Sequence, residues 1–269
     1  MAGIALGASR TLAYGGLDPI APGGGRVAGA AAGSVDAGVG RGRGATSGST
    51  STFGRTGRGD GAGRDGGTAP LEVVGADGRI AAADVRQRLE HGAPGTYIAE
   101  LLLRRDSSLI RWPERPDRPL AVFVADGASL VDWRPEYVSA VASALAAWTR
   151  AGVPLDFRLI DDPTRADVRV AWIDRFAQPI SGRTVWSRDD RWWLVDGTVT
   201  LALHHSDGAP LDADQMRALA LHEVGHLIGL DHTGDPDNVM APRVRVRELS
   251  AADAATARLL YSVPAGRVR

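Results

Sequence analysis

The chain has 269 residues, of which 44% are hydrophobic and seven are tryptophan, enough to bury the core of one or two ordinary domains. Its 31 basic and 32 acidic residues give a formal charge of −1, so no overall field attracts nucleic acid or an anionic membrane. The chain has no cysteine, which excludes disulfides, thiolate metal sites and cysteine nucleophiles. Any metal ligand must therefore be a histidine or a carboxylate.

Glycine divides the chain near residue 70. Residues 1–70 hold 21 of the 34 glycines, whereas all seven tryptophans lie after them. So glycine-rich a segment buries too little apolar surface to offset its chain entropy, and we predict that residues 1–70 are a disordered tail or linker. No apolar run approaches the ~18–20 residues of a membrane helix, and residues 1–12 lack the pattern of a signal peptide.

Residues 71–111 differ from both their neighbours. The pattern predicts a short helix near residues 81–90 and shows an apolar stretch at residues 97–103. Three prolines between residues 113 and 119 then interrupt any helix and mark a boundary. We therefore predict that residues 71–111 are a leader or pro-segment of unknown role, and that the main domain covers residues 112–269.

Within the main domain, hydrophobic periodicity predicts a mixture of strands and long helices. Strands are expected at residues 120–124, 156–160, 167–173, 183–187 and 198–203, of which 183–187 has the weakest pattern. Helices are expected at residues 134–150, 212–228 and 250–261. The helix at residue 212 opens with a capping-box pattern, Asp212 followed by Gln215. This mixture argues for the α+β or the α/β class, and we predict α+β.

Residues 222–232 read HEVGHLIGLDH and carry the chemistry. On a helix, His222 and His226 lie one turn apart on the same face, so both imidazoles can reach one ion. Glu223 lies beside them and offers a carboxylate for acid–base work. The first part of the motif therefore predicts two metal ligands and a candidate general base.

The second part of the motif supplies a third ligand. Gly229 can adopt a positive φ, which turns the chain sharply and brings His232 back towards the first two histidines. Three histidines with one open position describe a catalytic zinc site rather than a closed structural one. A chance match to this motif is on the order of 10⁻⁵ for a chain of this composition. The alternative is three histidines satisfied at the surface or in the core without a metal.

The residues after the motif are similar to one family. Met240 stands eight residues after His232, and Pro242 follows two residues later. With the histidine motif, this spacing resembles the matrixin-type metzincins. The resemblance extends over about residues 112–264, somewhat more than half of the chain.

The resemblance implies a fold and a set of roles. It implies a mixed, mostly parallel twisted sheet with an antiparallel edge strand and three main helices, with the zinc site on the second of them. It implies a zinc-dependent endopeptidase in which Glu223 acts as general base and acid, with Met240 lying under the metal. The metal ligands would be His222, His226 and His232.

Several positions depart from the family pattern. Ala252 occupies the first of two adjacent acidic positions in the last helix, and only Asp253 remains. Val244 stands where many relatives have a tyrosine in the wall of the substrate pocket. The propeptide cysteine switch is impossible without cysteine. We find no match to the structural-zinc and calcium loop, so we expect one catalytic Zn²⁺ and leave Ca²⁺ open. The clustered pair His204 and His205 is either a second metal site or two ordinary histidines.

These observations predict a zinc-dependent endopeptidase that hydrolyses peptide bonds in an extended protein or peptide. The substrate is expected along the edge strand at residues 183–187. Two alternatives are a catalytically silent zinc-containing module that binds peptides, and a hydrolase of non-peptide amides. We expect a monomer, no nucleic-acid partner and no membrane span. The resemblance favours an extracellular or periplasmic location, although no signal peptide is readable.

Overall fold

The computed structural model describes residues 82–268, and the predicted tail at residues 1–70 lies outside them. The described part contains α1 (Ala82–Gly92), α2 (Ile98–Arg104), α3 (Glu136–Arg150), α4 (Ala213–Leu227) and α5 (Ala251–Tyr261). The short predicted helix is α1, and the three main predicted helices are α3, α4 and α5. Among the described residues, no helix combines the length and the apolar character that crossing a membrane requires.

The strands form one main sheet and one small pair. The main sheet contains β2 (Leu120–Val124), β3 (Phe157–Ile160), β4 (Val168–Ile173), β5 (Gly182–Arg188) and β6 (Leu194–Ala202). Their order is β3-β2-β4-β6-β5, parallel throughout except for β5, which is antiparallel to β6. The small pair is β1 (Ser108–Leu109) with β7 (Gly266–Arg267), antiparallel. The predicted α+β fold, a mostly parallel sheet with an antiparallel edge strand, is confirmed.

Sequence signals explain where the helices begin. Both α4 and α5 open with complete capping boxes, in which Asp212 and Ser250 accept from the backbone N–H three residues on. The side chains of Gln215 and Asp253 accept in return from the backbone N–H of those two caps. The helix that carries the motif and the last helix therefore both begin where a capping box predicts.

Helix α4 occupies the centre of the domain. Every residue from Ala218 to Leu227 is buried, because α3 packs on one side and strands β5 and β6 on the other. The Nε1–H of Trp148 in α3 donates to the carbonyl of Leu221 at 2.9 Å. On the sheet side, Leu227 fills the space that Gly197 leaves in β6. A helix surrounded by protein in this way holds its polar side chains in fixed surroundings.

Candidate metal centre

The structure brings the three histidines of the motif together. His222 and His226 lie one turn apart on α4, and their Nε2 atoms are 3.0 Å apart. After the helix ends, Gly229 adopts a φ of +104°, as its place in the motif predicts. The turn returns His232, whose Nε2 lies 3.1 Å from that of His226 and 3.3 Å from that of His222. The three atoms form a nearly equilateral triangle.

Backbone carbonyls orient the two helical imidazoles. The Nδ1 of His222 lies 2.7 Å from the carbonyl oxygen of Val239, and the Nδ1 of His226 lies 3.2 Å from that of Leu230. A carbonyl oxygen only accepts, so each Nδ1 carries the hydrogen and each Nε2 presents its lone pair to the centre of the triangle.

Burial keeps the imidazoles neutral. It lowers the pKa of His222 to about 3, and it lowers the pKa of His226 well below the usual value. The pKa of His232 is lowered as well, chiefly by burial, against the opposing effect of Asp231. Neutral imidazole is the form that binds a metal ion.

The donor set fits zinc. Three lone pairs that face one another within 3.3 Å repel unless a cation lies between them. Tetrahedral zinc with Zn–N distances of ~2.0–2.1 Å requires nitrogen atoms roughly 3.3–3.4 Å apart. The three separations of 3.0, 3.1 and 3.3 Å come close to that spacing. Three protein ligands also leave a fourth position open, as catalytic zinc sites do.

The carboxyl group of Glu223 points towards the edge strand β5. Its Oε2 accepts a 2.6 Å hydrogen bond from the Thr184 hydroxyl. Its Oε1 lies against Gly182, where any Cβ would overlap the carboxyl group. Burial raises the pKa of Glu223 to about 8, and the hydrogen bond from Thr184 acts in the opposite direction.

Sequence reasoning missed both residues that surround this carboxyl group. Gly182 and Thr184 are small residues two apart in a strand, which places both side-chain positions on the face that meets α4. The signal is a small residue followed two positions later by a small polar residue in a predicted edge strand. Such a pattern points to the close approach of another element.

Met240 and Asp253 stabilise the far side of the centre. Met240 is fully buried and packs against α4 at Gly225, where a Cβ would overlap its Sδ. Directly before it, the N–H of Val239 donates to Oδ2 of Asp253 at 2.9 Å, while the Val239 carbonyl receives the Nδ1–H of His222. The fully buried Asp253 thus holds the backbone that orients a proposed metal ligand.

His204, one of the two other clustered histidines, is arranged differently. His204 lies between two carboxylates, with Nε2 3.0 Å from Oδ2 of Asp132 and Nδ1 2.9 Å from Oδ1 of Asp174. Each ring nitrogen faces a different acid, so these groups do not converge on one point. Among residues 82–268, the only group of three or more histidine or acidic side chains close enough to hold one ion is that of His222, His226 and His232.

Comparison with known proteins gives one family. Residues 131–262, which are 132 of the 269, match the family model described as matrixin. The matched segment runs from just before α3 to the end of α5 and contains the whole histidine motif. No curated protein matches the chain.

Proposed function

Residues 131–262 of this chain belong to the matrixin family, and from that premise we propose a zinc-dependent endopeptidase with its metal on His222, His226 and His232. Glu223 is proposed as the general base and acid. The observation that carries the proposal is the convergence of three neutral Nε2 atoms, two of them on a helix that also holds a buried carboxyl group.

The chemistry divides between the metal and the chain. Zinc bound by neutral imidazoles lowers the pKa of a bound water to ~7 and polarises a carbonyl group. Because the Thr184 hydroxyl occupies Oε2 of Glu223, we assign Oε1 as the atom that takes the proton from the water. The same carboxyl group then passes the proton to the leaving amine, a role typically worth ~10²–10⁴ in rate. A cation nearby favours the ionised carboxylate that this role needs.

The substrate is proposed to bind in an extended form along β5. This strand pairs with β6 on one side only, so within the main sheet its other edge is open to a further strand. An extended peptide can bind such an edge by main-chain hydrogen bonds. Gly182 and Thr184 of β5 contact Glu223. A peptide on this edge would therefore pass close to the proposed base.

Replacing Glu223 by glutamine tests the assignment. The Glu223→Gln variant of the full chain is expected to retain about one zinc per chain and to lose ~10²–10⁴ of the kcat for cleavage of an unfolded protein. Glu90→Gln, an exposed change of the same kind on α1, serves as the control and should leave kcat unchanged. Unchanged cleavage by the Glu223 variant with zinc bound would show that the proposed role is wrong.

The same assays separate the two alternatives. A zinc-loaded wild-type chain that binds peptides from a broad library and cleaves none would favour the silent binding module. Turnover of small amides without cleavage of that library would favour a non-peptide amide hydrolase. Retention of Glu223 in a buried position next to two proposed ligands is the feature that favours the endopeptidase over the silent module.

A further inference from the structure

Arg105 contacts the turn that leads to His232. Its guanidinium group is buried, and its Nε–H donates to Oδ2 of Asp231 at 3.1 Å. The two terminal nitrogens donate at 2.9 Å to the carbonyl oxygens of Gly229 and Leu230. One side chain therefore fixes three consecutive residues immediately before a proposed metal ligand.

These contacts lead on to two of the three histidines. The other oxygen of Asp231, Oδ1, accepts from the backbone N–H of His232 at 2.7 Å. The Leu230 carbonyl that receives Arg105 also receives the Nδ1–H of His226. Arg105 is thus separated from each of these two imidazole residues by a single shared group.

We call residues 97–111, which include Arg105, the brace segment. Other residues of this segment contact the same region. The Glu100 carboxylate accepts from the Thr233 hydroxyl at 3.1 Å and from the Gly234 N–H at 2.8 Å, directly after His232. The Tyr97 hydroxyl donates at 3.0 Å to Asp253, the residue that holds Val239. The brace segment therefore contacts the surroundings of all three histidines.

The turn after α4 needs the donors that Arg105 provides. The last carbonyls of a helix have no partner within it. The side chain of Trp112 donates to the Leu227 carbonyl, and that of Tyr261 donates to the Ile228 carbonyl. Arg105 donates to the next two carbonyls along the chain. Loss of Arg105 would remove this donor from the Gly229 carbonyl and leave the Leu230 carbonyl with the Nδ1–H of His226. It would also leave the buried Asp231 carboxylate without its cation, which is strongly unfavourable.

We propose that the brace segment is a permanent part of the metal centre, with Arg105 as a positioning residue for His226 and His232. Any maturation cut would then fall before Tyr97, whereas the boundary predicted at residue 112 would separate Arg105 from Asp231. The inference deepens the proposed function, because it rests on the metal site that the proposal assigns. It requires no assumption about the substrate.

Substitution of Arg105 in the full chain tests the inference. In Arg105→Gln we expect zinc, measured by competition with a chelator, to bind about 10–100-fold more weakly, as for other groups that orient metal ligands. Arg105→Lys restores the charge without the forked donors and should lie between this variant and the wild type. Arg86→Gln removes the same charge from an exposed position on α1 and should leave the constant within about twofold of the wild-type value.

Amide hydrogen exchange of the metal-free chain provides a readout that needs no zinc. Residues 229–234 should exchange faster in Arg105→Gln than in Arg86→Gln. A purely structural role predicts instead an equal loss of Tm with and without zinc, an unchanged zinc constant and unchanged exchange at the turn. That pattern would overturn the proposal. A wild-type chain that binds zinc but cleaves no peptide would contradict the proposed function and leave these readouts intact.

Proteolytic fragments of the wild-type chain provide a test that does not depend on a variant folding. After limited proteolysis, every fragment that retains zinc should contain residues 97–111 when its N-terminus is sequenced. A fragment that retains zinc with wild-type affinity and lacks residues 97–111 entirely would overturn the proposal.

Discussion

At the scale of single residues, one hydroxyl fixes the orientation of the proposed base. Thr184 is fully buried, and its side chain donates either to Oε2 of Glu223 or to the backbone carbonyl of the same residue. A hydrogen bond to a charged group contributes about 1.5–3 kcal/mol. The position of the carboxyl group therefore depends on β5 as much as on the helix that carries it.

We predict that Thr184→Val lowers kcat by about 10–100-fold and changes KM much less. Valine keeps the shape of threonine but cannot donate, and the loss corresponds to one hydrogen bond to a charged group at about 1.4 kcal/mol per tenfold. Steady-state kinetics on a peptide substrate measures both constants. Thr184→Ser keeps the hydroxyl and should recover most of the wild-type kcat, and a valine variant as fast as the wild type would contradict the role.

The sequence predicted the motif residues but not the residues that surround them. The three histidines and Glu223 lie within 11 positions of a helix and its following turn, so helical geometry and the turn at Gly229 bring them together. Thr184 lies 39 residues from its partner Glu223, and Arg105 lies 126 residues from Asp231. Such pairs form only after sheet and helices have packed, and no local pattern encodes them.

At the scale of elements, the turn after α4 has two separate requirements at Gly229. Its φ of +104° is strained for any residue with a side chain. A Cβ there would also overlap the carbonyl oxygen of Ile110, a backbone atom that cannot move aside as a flexible side chain does. The first requirement is readable from the motif, whereas the second comes from the brace segment.

We predict that Gly229→Ala destabilises the chain by more than the cost of backbone strain alone. Gly95 is the matched control, because its φ is also positive, at +73°, and a Cβ there meets no atom within 4 Å. Gly95→Ala should cost about 1 kcal/mol, and Gly229→Ala clearly more, in the free energy of unfolding by urea. Equal losses would show that the Ile110 contact relaxes without cost.

The elements that the sequence predicted best are those with local signals. Helices α4 and α5 begin at their capping boxes, and β4 begins within one residue of the prediction. Strand β6 begins four residues before the predicted start. Its first four residues include the polar Asp196 and the small Gly197, which interrupt the apolar pattern of a strand. The pair β1–β7 was not predicted, since two residues in each strand carry no periodicity and the paired residues Leu109 and Gly266 lie 157 residues apart.

At the scale of the whole molecule, a chain of nearly zero net charge buries His222, Glu223 and His226 close together on one helix. His222 and Glu223 lie side by side in α4, and burial shifts the pKa of each towards its neutral form. Folding therefore creates the site at an electrostatic cost that depends on pH. Metal binding offsets part of this cost, because a cation favours neutral imidazole and ionised carboxylate together.

We predict that the metal-free chain is most stable near pH 6.5. The pKa of His222 falls from 6.5 to about 3 on folding, so the unfolded chain binds the extra proton, and stability is lost as the pH decreases from 6.5 towards 3. His226 and His232 act in the same direction.

The pKa of Glu223 rises from 4.5 to about 8, so the native chain holds the extra proton between these values and loses stability as the pH increases. Above pH 6.5 the unfolded histidines lose their remaining protons, and the carboxyl group becomes the main titrating group of this set. Calorimetry with a chelator present should therefore show Tm falling on both sides of the maximum. Glu223→Gln should remove most of the fall between pH 6.5 and 8. It should also make the fall from pH 6.5 to 4.5 steeper, because the proton that native Glu223 holds no longer offsets the protons that the unfolded histidines bind. An alkaline fall of wild-type size in that variant would show that another group is responsible.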